Sequence, residues 1–194
     1  PILPDGPSST SFLSASPGSS VFGQSVTFNY VVSAGGGTPN CTNTNGGTVS
    51  LVEGGTIASA VAPAAISTTA LSTGFHVLTL QYGGNANCDP SSSSPFGYTV
   101  SKASTTTALS SSLNPAGRFQ NVTFTATVSV VAPGAGTRTG TVTFKDGTTV
   151  LGTGAVNGAG VATFSTSNLS VGSHSITAEY GGDVNFNGST SGAL

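Results

Sequence analysis

The chain has 194 residues, with four Lys and Arg against six Asp and Glu, a formal net charge of −2 and only 5% charged residues. So few cations cannot neutralise a run of phosphates, which argues against nucleic-acid binding, and no stretch approaches the ~20 apolar residues of a membrane-spanning helix or forms a basic amphipathic face for a membrane surface. Hydrophobic residues still reach 36%, enough for thin sandwich cores under a neutral surface of Ser, Thr, Asn and Gly, which suits a protein fixed in place or packed in an assembly.

Residues 1–9 carry three prolines, at Pro1, Pro4 and Pro7. They read as an arm or linker, since proline cannot donate to a central ladder. From there the chain repeats itself. "GQSVTFNYVVS" (Gly23–Ser33) answers "FQNVTFTATVS" (Phe119–Ser129), "GGTVSLVEGGT" (Gly46–Thr56) answers "TGTVTFKDGTT" (Thr139–Thr149), and "LSTGFHVLTLQYGG" (Leu71–Gly84) answers "LSVGSHSITAEYGG" (Leu169–Gly182). A period of roughly a hundred residues is a domain repeat and not a solenoid repeat. The expected organisation is therefore an arm (1–9), a first repeat (10–101) and a second repeat (102–194).

Each repeat reads as short strands. Val26, Phe28 and Tyr30 share one face at period two, as do Val122, Phe124, Ala126, Val128 and Val130. Turn signals such as "EGG", "YGG", "NPAG" and "DGT" separate them, and no helical stripe appears. The fold class expected is all-β, two tandem antiparallel β-sandwiches.

Cys41 and Cys88 are the whole thiol inventory. Their spacing fits neither a redox CxxC nor a zinc site. A disulfide in an oxidising compartment is the leading reading, with two free buried thiols as the alternative.

Glu53 and Asp146 occupy equivalent positions before a turn glycine and read as turn residues bonding local backbone. His76 and His174 each open the strand that ends in Tyr82 or Tyr180, one per repeat, and read as structural hydrogen-bonding groups at a strand entrance. No G-x-S-x-G elbow with His and Asp partners is present. No catalytic residue and no cofactor are expected. "DVNFNG" (Asp183–Gly188) fits the opening of a calcium loop, with Asp183, Asn185 and Asn187 at ligand spacing. The twelfth position, where such a loop needs a bidentate Glu, is Leu194. A polar turn with Phe186 plugging one end of the core is the preferred reading, and these three residues are a weak metal candidate. The paralogous loop carries Asn85, Asn87 and Asp89.

"STTTAL" (Ser104–Leu109), Asn114–Pro115, "VTFTATV" (Val122–Val128), "GTVTFKDG" (Gly140–Gly147) and "LSVGSHSITAEYGGDVNF" (Leu169–Phe186) together resemble bacterial Ig-like repeat domains. The resemblance covers nearly all of the second repeat; the first departs where its cysteines lie. It implies Ig-like sandwiches of secreted or surface-attached proteins, acting as stalk, spacer or adhesive module. Expected partners are other copies or neighbouring Ig-like repeats, with a surface glycan or protein as the alternative. In such a sandwich the B–C and F–G connections emerge at one end, so a Cys41–Cys88 bridge would clamp one pole of the first repeat.

The second repeat shows no counterpart of "GYTVSKA" (Gly97–Ala103), the last strand of the first. A sandwich without it exposes a neighbouring backbone edge. Either a longer array supplies the strand, or a strand from another subunit fills the groove and links copies head to tail. Gly97, Tyr98, Thr99 and Val100, and Ile2 and Leu3 in the arm, are the candidate strand-addition segments.

Overall fold

The computed structural model describes residues 7–34, 46–86 and 88–194. They form two compact units, residues 1–101 and 102–194, and every regular element among the described residues is a strand.

In unit 1 the strands are β1 (Ser8–Ser16), β2 (Ser20–Val21), β3 (Val26–Ala34), β4 (Thr48–Val52), β5 (Thr56–Val61), β6 (Ile66–Thr68), β7 (Gly74–Tyr82), β8 (Ser91–Ser92) and β9 (Phe96–Ser101). One sheet runs β1-β3-β6 and the other β2-β9-β7-β4-β5, with β8 also on β7. Ser8 and Ser9, expected in the arm, belong to β1, where they pair with Ala34 and Ser33. The sequence "SSTSFLSAS" hides this strand because its alternation breaks. A bulge between Phe12 and Ser14 shifts the register, so that both Phe12 and Ala15 pack on the core.

Alternation is intact in β7, which turns His76, Leu78, Leu80 and Tyr82 inward and leaves Phe75 and Val77 exposed. Across the sandwich β3 supplies Val26, Phe28, Tyr30 and Val32. Tyr98 of β9 meets Phe28 edge-on at 5.4 Å, and Phe96 stacks on Phe12 at 3.8 Å. Each fully buried Leu, Val or Phe contributes about 1.5–3 kcal/mol relative to exposure.

Unit 2 contains β10 (Thr105–Ser111), β11 (Val122–Val130), β12 (Thr141–Asp146), β13 (Thr149–Ala155), β14 (Val161–Thr166), β15 (Ile176–Tyr180) and β16 (Ser189–Thr190). Its sheets run β10-β11-β14 and β13-β12-β15-β16. They reproduce β1-β3-β6 and β5-β4-β7-β8 of unit 1. The core is built from Val122, Phe124, Val142, Phe144, Ile176, Tyr180 and Phe186. Nothing among its described strands corresponds to β9.

Candidate functional site

The scarce ionisable residues are placed at matching points in the two units. The β4–β5 turn aims Glu53 across to the start of β7. There Glu53 accepts a bond from His76 Nδ1 at 2.7 Å and one from the Val77 amide at 3.0 Å, while His76 Nε2 reaches the Ser72 carbonyl at 2.8 Å. Asp146, His174, Ser175 and Ser170 repeat this arrangement at 2.6, 3.0 and 2.9 Å. Glu53 and Asp146 are therefore not local turn caps. Each ties a hairpin to the neighbouring strand.

The hydrogen bond from His76, with that from Val77, holds Glu53 below the usual carboxylate range against the upward pull of burial. Burial pulls His76 down, but the bonds to Glu53 and Ser72 outweigh it and raise it. His174 is raised by the Ser170 carbonyl and then by Asp146, which is itself lowered by His174 and the Ser175 amide.

Tyr82 and Tyr180 form a second repeated tie. Tyr180 donates to the Thr139 carbonyl at 2.7 Å and Tyr82 to the Gly46 carbonyl at 3.1 Å. Gly47 must be glycine for this to work: its φ is +91°, and a Cβ there would lie 2.4 Å from the Tyr82 ring. Burial, then the nearby Asp183 charge, push Tyr180 up to about 12.

Asp183 itself is saturated with donors. Oδ2 accepts from the Thr139 amide and hydroxyl at 2.9 and 2.7 Å, and Oδ1 from the amides of Asn185 and Phe186 at 2.8 and 2.9 Å. Burial works against the charge, yet these bonds keep the carboxyl below its ordinary value. Asn187 donates its side-chain amide to the Lys102 carbonyl at 3.4 Å. That is the chemistry of an Asx turn, which needs the same oxygens a metal would need. The turn seats Phe186 in the core, fully buried.

Cys88 is buried beside the turn it shares with Asn85. Cys41, like Ile2, Leu3 and Asn87, lies outside the described residues. Gly97, Tyr98, Thr99 and Val100 are enclosed within unit 1 as part of β9, antiparallel to β7 and parallel to β2, with Tyr98 and Val100 buried.

The feature that residue types alone did not reveal is a cleft of about 400 Å³ in unit 2. Its floor holds Val122, Phe124 and Ile176, and its rim Leu113, Phe119 and Leu194.

The profile of the Bacterial Ig-like domain (group 3) family matches residues 13–101 and, a second time, 105–194. No curated protein matches the chain. Among solved structures, the fibronectin(III)-like modules of Clostridium thermocellum CbhA are similar at 16% identity and a TM-score of 0.32, over 90% of this chain and 88% of that one.

Proposed function

Because the chain belongs to the bacterial Ig-like domain family (group 3) through both of its units, we propose that it is a structural module of an extracellular or cell-surface protein: a stalk or filament-forming unit whose copies are joined head to tail by strand addition. The observation that carries this reading is the repetition of the same ties. Both units use their His and one carboxylate to bind a hairpin to the next strand, and a tyrosine hydroxyl to close the opposite turn. These groups are engaged in holding the fold, and the remaining surface is neutral and hydroxyl-rich, as a load-carrying spacer needs. In unit 1 a Cys41–Cys88 bridge adds a clamp at one pole. The partners are other copies or neighbouring Ig-like repeats, and no catalytic role is assigned.

Single-molecule extension of the chain tests the structural role. Two separate unfolding events, each at a reproducible force, are expected. A unit that extends without resistance would contradict it.

A second reading, an adhesive module gripping glycan or protein through the loop pole of unit 1, draws on a shallow recess lined by Thr48, Ser50, Gln81, Pro90, Ser91 and Ser92. Hydroxyl and amide groups suit a glycan. The one aromatic ring there, Tyr82, is only 2% exposed, so it offers no stacking face. Glycan-array binding abolished by Gln81→Ala would favour this reading over the structural one.

A further inference from the structure

The turn "DVNFNG" spends its inner groups on itself and turns its outer ones toward the chain that leads into unit 2. Asp183 Oδ1 accepts the amides of Asn185 and Phe186, and the Asp183 amide donates to the Phe186 carbonyl at 3.0 Å. The Asn185 carbonyl and the Asn187 amide face one side. Ala103 meets both: its amide donates to the Asn185 carbonyl and its carbonyl accepts from the Asn187 amide, each at 2.9 Å. That is one rung of a parallel ladder, with Ala103 opposite Phe186.

Side chains close around that rung. Lys102 Nζ donates to the Asp183 carbonyl at 2.6 Å, and the Asn187 side-chain amide donates to the Lys102 carbonyl at 3.4 Å. Two residues on, the Thr105 hydroxyl donates to the Asn187 carbonyl at 2.8 Å. Ala103 itself is fully buried. The turn after β11 covers its other side: the Val131 amide donates to the Ser104 carbonyl at 2.9 Å, and a Cβ at Gly134 would stand 2.6 Å from the Ala103 methyl. The slot between Phe186 and Gly134 therefore admits a methyl group and nothing larger.

Unit 1 keeps the outline of the same turn. The Asn85 amide donates to the Cys88 carbonyl at 3.0 Å, as that of Asp183 does to Phe186. The Ser8 hydroxyl donates to the Asp89 carbonyl at 2.6 Å, as Thr105 does to Asn187. The hydroxyl pairs Thr10–Ser91 and Thr107–Ser189, both 2.7 Å, follow in register. In both units the turn thus lies against the strand that opens the unit. A cation site has no use for that neighbour, whereas a holder of the incoming chain requires it.

We infer that the turn from Asp183 to Asn187 is a load-carrying clasp: it grips the chain leading into unit 2 at Lys102 and Ala103, so that tension on that chain passes through the turn into β15 before it reaches β10. This rests on the stalk part of the function proposed above. Tension ahead of Lys102 meets the two main-chain bonds of Ala103, the Lys102 ammonium bond and the Asn187 side-chain bond within two residues, and these break together. Without the clasp the load would fall on Thr105, the first residue of β10, and its ladder with β11 would open from that end. Asp183 is the positioning residue: by holding the Asn185 and Phe186 amides it aims the Asn185 carbonyl at Ala103.

Hydrogen exchange on the intact 194-residue chain gives the first reading. The Ala103 and Asn187 amides should exchange as slowly as the amides of β15. Exchange at Ala103 about a hundredfold faster or more would mean that the segment opens on its own, and overturns the clasp. Constant-force extension gives the second reading, with unit 1 as the internal reference. Ala103→Pro removes the donor to Asn185 and should shorten the lifetime of unit 2 under force about tenfold, leaving unit 1 unchanged. The control, Thr107→Val, cuts the hydroxyl pair with Ser189 inside β10, behind the clasp. Scaled to its loss of melting temperature, it should shorten that lifetime far less. Equal scaled effects would show that the turn adds stability and carries no load, and the proposal fails. Should Ala103→Pro leave unit 2 unfolded, the pair Lys102→Met and Asn187→Ala, both exposed side chains, takes its place. A several-fold loss of lifetime is expected there, and an unchanged lifetime overturns the clasp. A native unit 2 that extends without resistance would instead remove the structural role, so the two failures are read separately.

Discussion

His76 is held between two acceptors: its Nδ1 is 2.7 Å from a carboxylate oxygen of Glu53 and its Nε2 2.8 Å from the carbonyl of Ser72. Neither partner has a proton to give, so both ring nitrogens must donate, and only the imidazolium can do that. His174 is placed identically between Asp146 and Ser170.

A pH optimum of stability follows. Both histidines are raised in the folded state, so their contribution is complete below the unfolded value near 6.5 and is lost as pH rises through the raised folded value. Glu53 and Asp146 are lowered. Their contribution is present above the unfolded carboxylate range near 4 and is lost as pH falls through the depressed folded value. The melting temperature of each unit should therefore peak between about pH 4.5 and 6.5. Calorimetric scans should show the alkaline limb flattened in the His76→Gln, His174→Gln double variant. An unchanged alkaline limb in that variant would contradict the imidazolium assignment.

The repeat and its strands were legible because β3, β7 and β11 alternate cleanly and the turn glycines recur. β1 was harder to see. Its bulge puts Phe12 and Ala15 on one face three residues apart, which defeats a period-two search. At the ties, each member was visible as a repeated residue, but not their pairing. Glu53 and His76 are far apart in sequence, and only the β4–β7 ladder brings the turn after β4 beside the start of β7. A carboxylate before a glycine looks like a turn residue whether it bonds its own loop or a neighbouring strand. The cleft follows the same logic: its floor joins Val122 and Phe124 to Ile176 across the sandwich, residues that no single stretch of sequence brings together.

Tyr180→Phe should destabilise unit 2. The lost bond to Thr139 is worth about 0.5–1.5 kcal/mol net, which in a domain of this size lowers the melting temperature by several degrees. The longer bond of Tyr82 to Gly46 predicts a smaller loss for Tyr82→Phe. Tyr180 is pushed up to about 12, so in an alkaline titration followed by tyrosinate absorbance the last step near pH 12 should vanish in Tyr180→Phe. Its persistence would assign that step to another tyrosine.

Reduction should act on unit 1 alone, since unit 2 contains no cysteine. In the chain-entropy estimate, closing the loop between positions 41 and 88 contributes roughly 3–4 kcal/mol. Adding reductant should therefore lower the melting temperature of unit 1 and leave unit 2 in place. Mass spectrometry of the untreated protein should show Cys41 and Cys88 linked; two free thiols there would remove the clamp from the proposed function.

Asp183 should behave as a structural carboxylate and not as a metal ligand. Its two oxygens accept four hydrogen bonds, two from Thr139 and one each from the amides of Asn185 and Phe186. A cation could take these oxygens only by displacing donors that the turn needs. Chelator should therefore leave the melting of unit 2 within about 1 °C, whereas a ligand at a hundredfold excess over its dissociation constant would add about 2.7 kcal/mol. Asp183→Asn should cost more than chelation does, because the amide nitrogen turns a donor toward donors and strands either Thr139 or the Asn185 and Phe186 amides. Hydrogen bonds to a charged group are worth about 1.5–3 kcal/mol each, and the half-exposed loop returns part of that to water. The expected loss is a few kcal/mol, with Phe186 loosened from the core and its neighbours in β15 exchanging amide protons faster. A several-degree fall on chelation, reversed by calcium, would restore Asp183, Asn185 and Asn187 as a cation site. An Asp183→Asn variant as stable as the native chain would show that the turn holds without the charge.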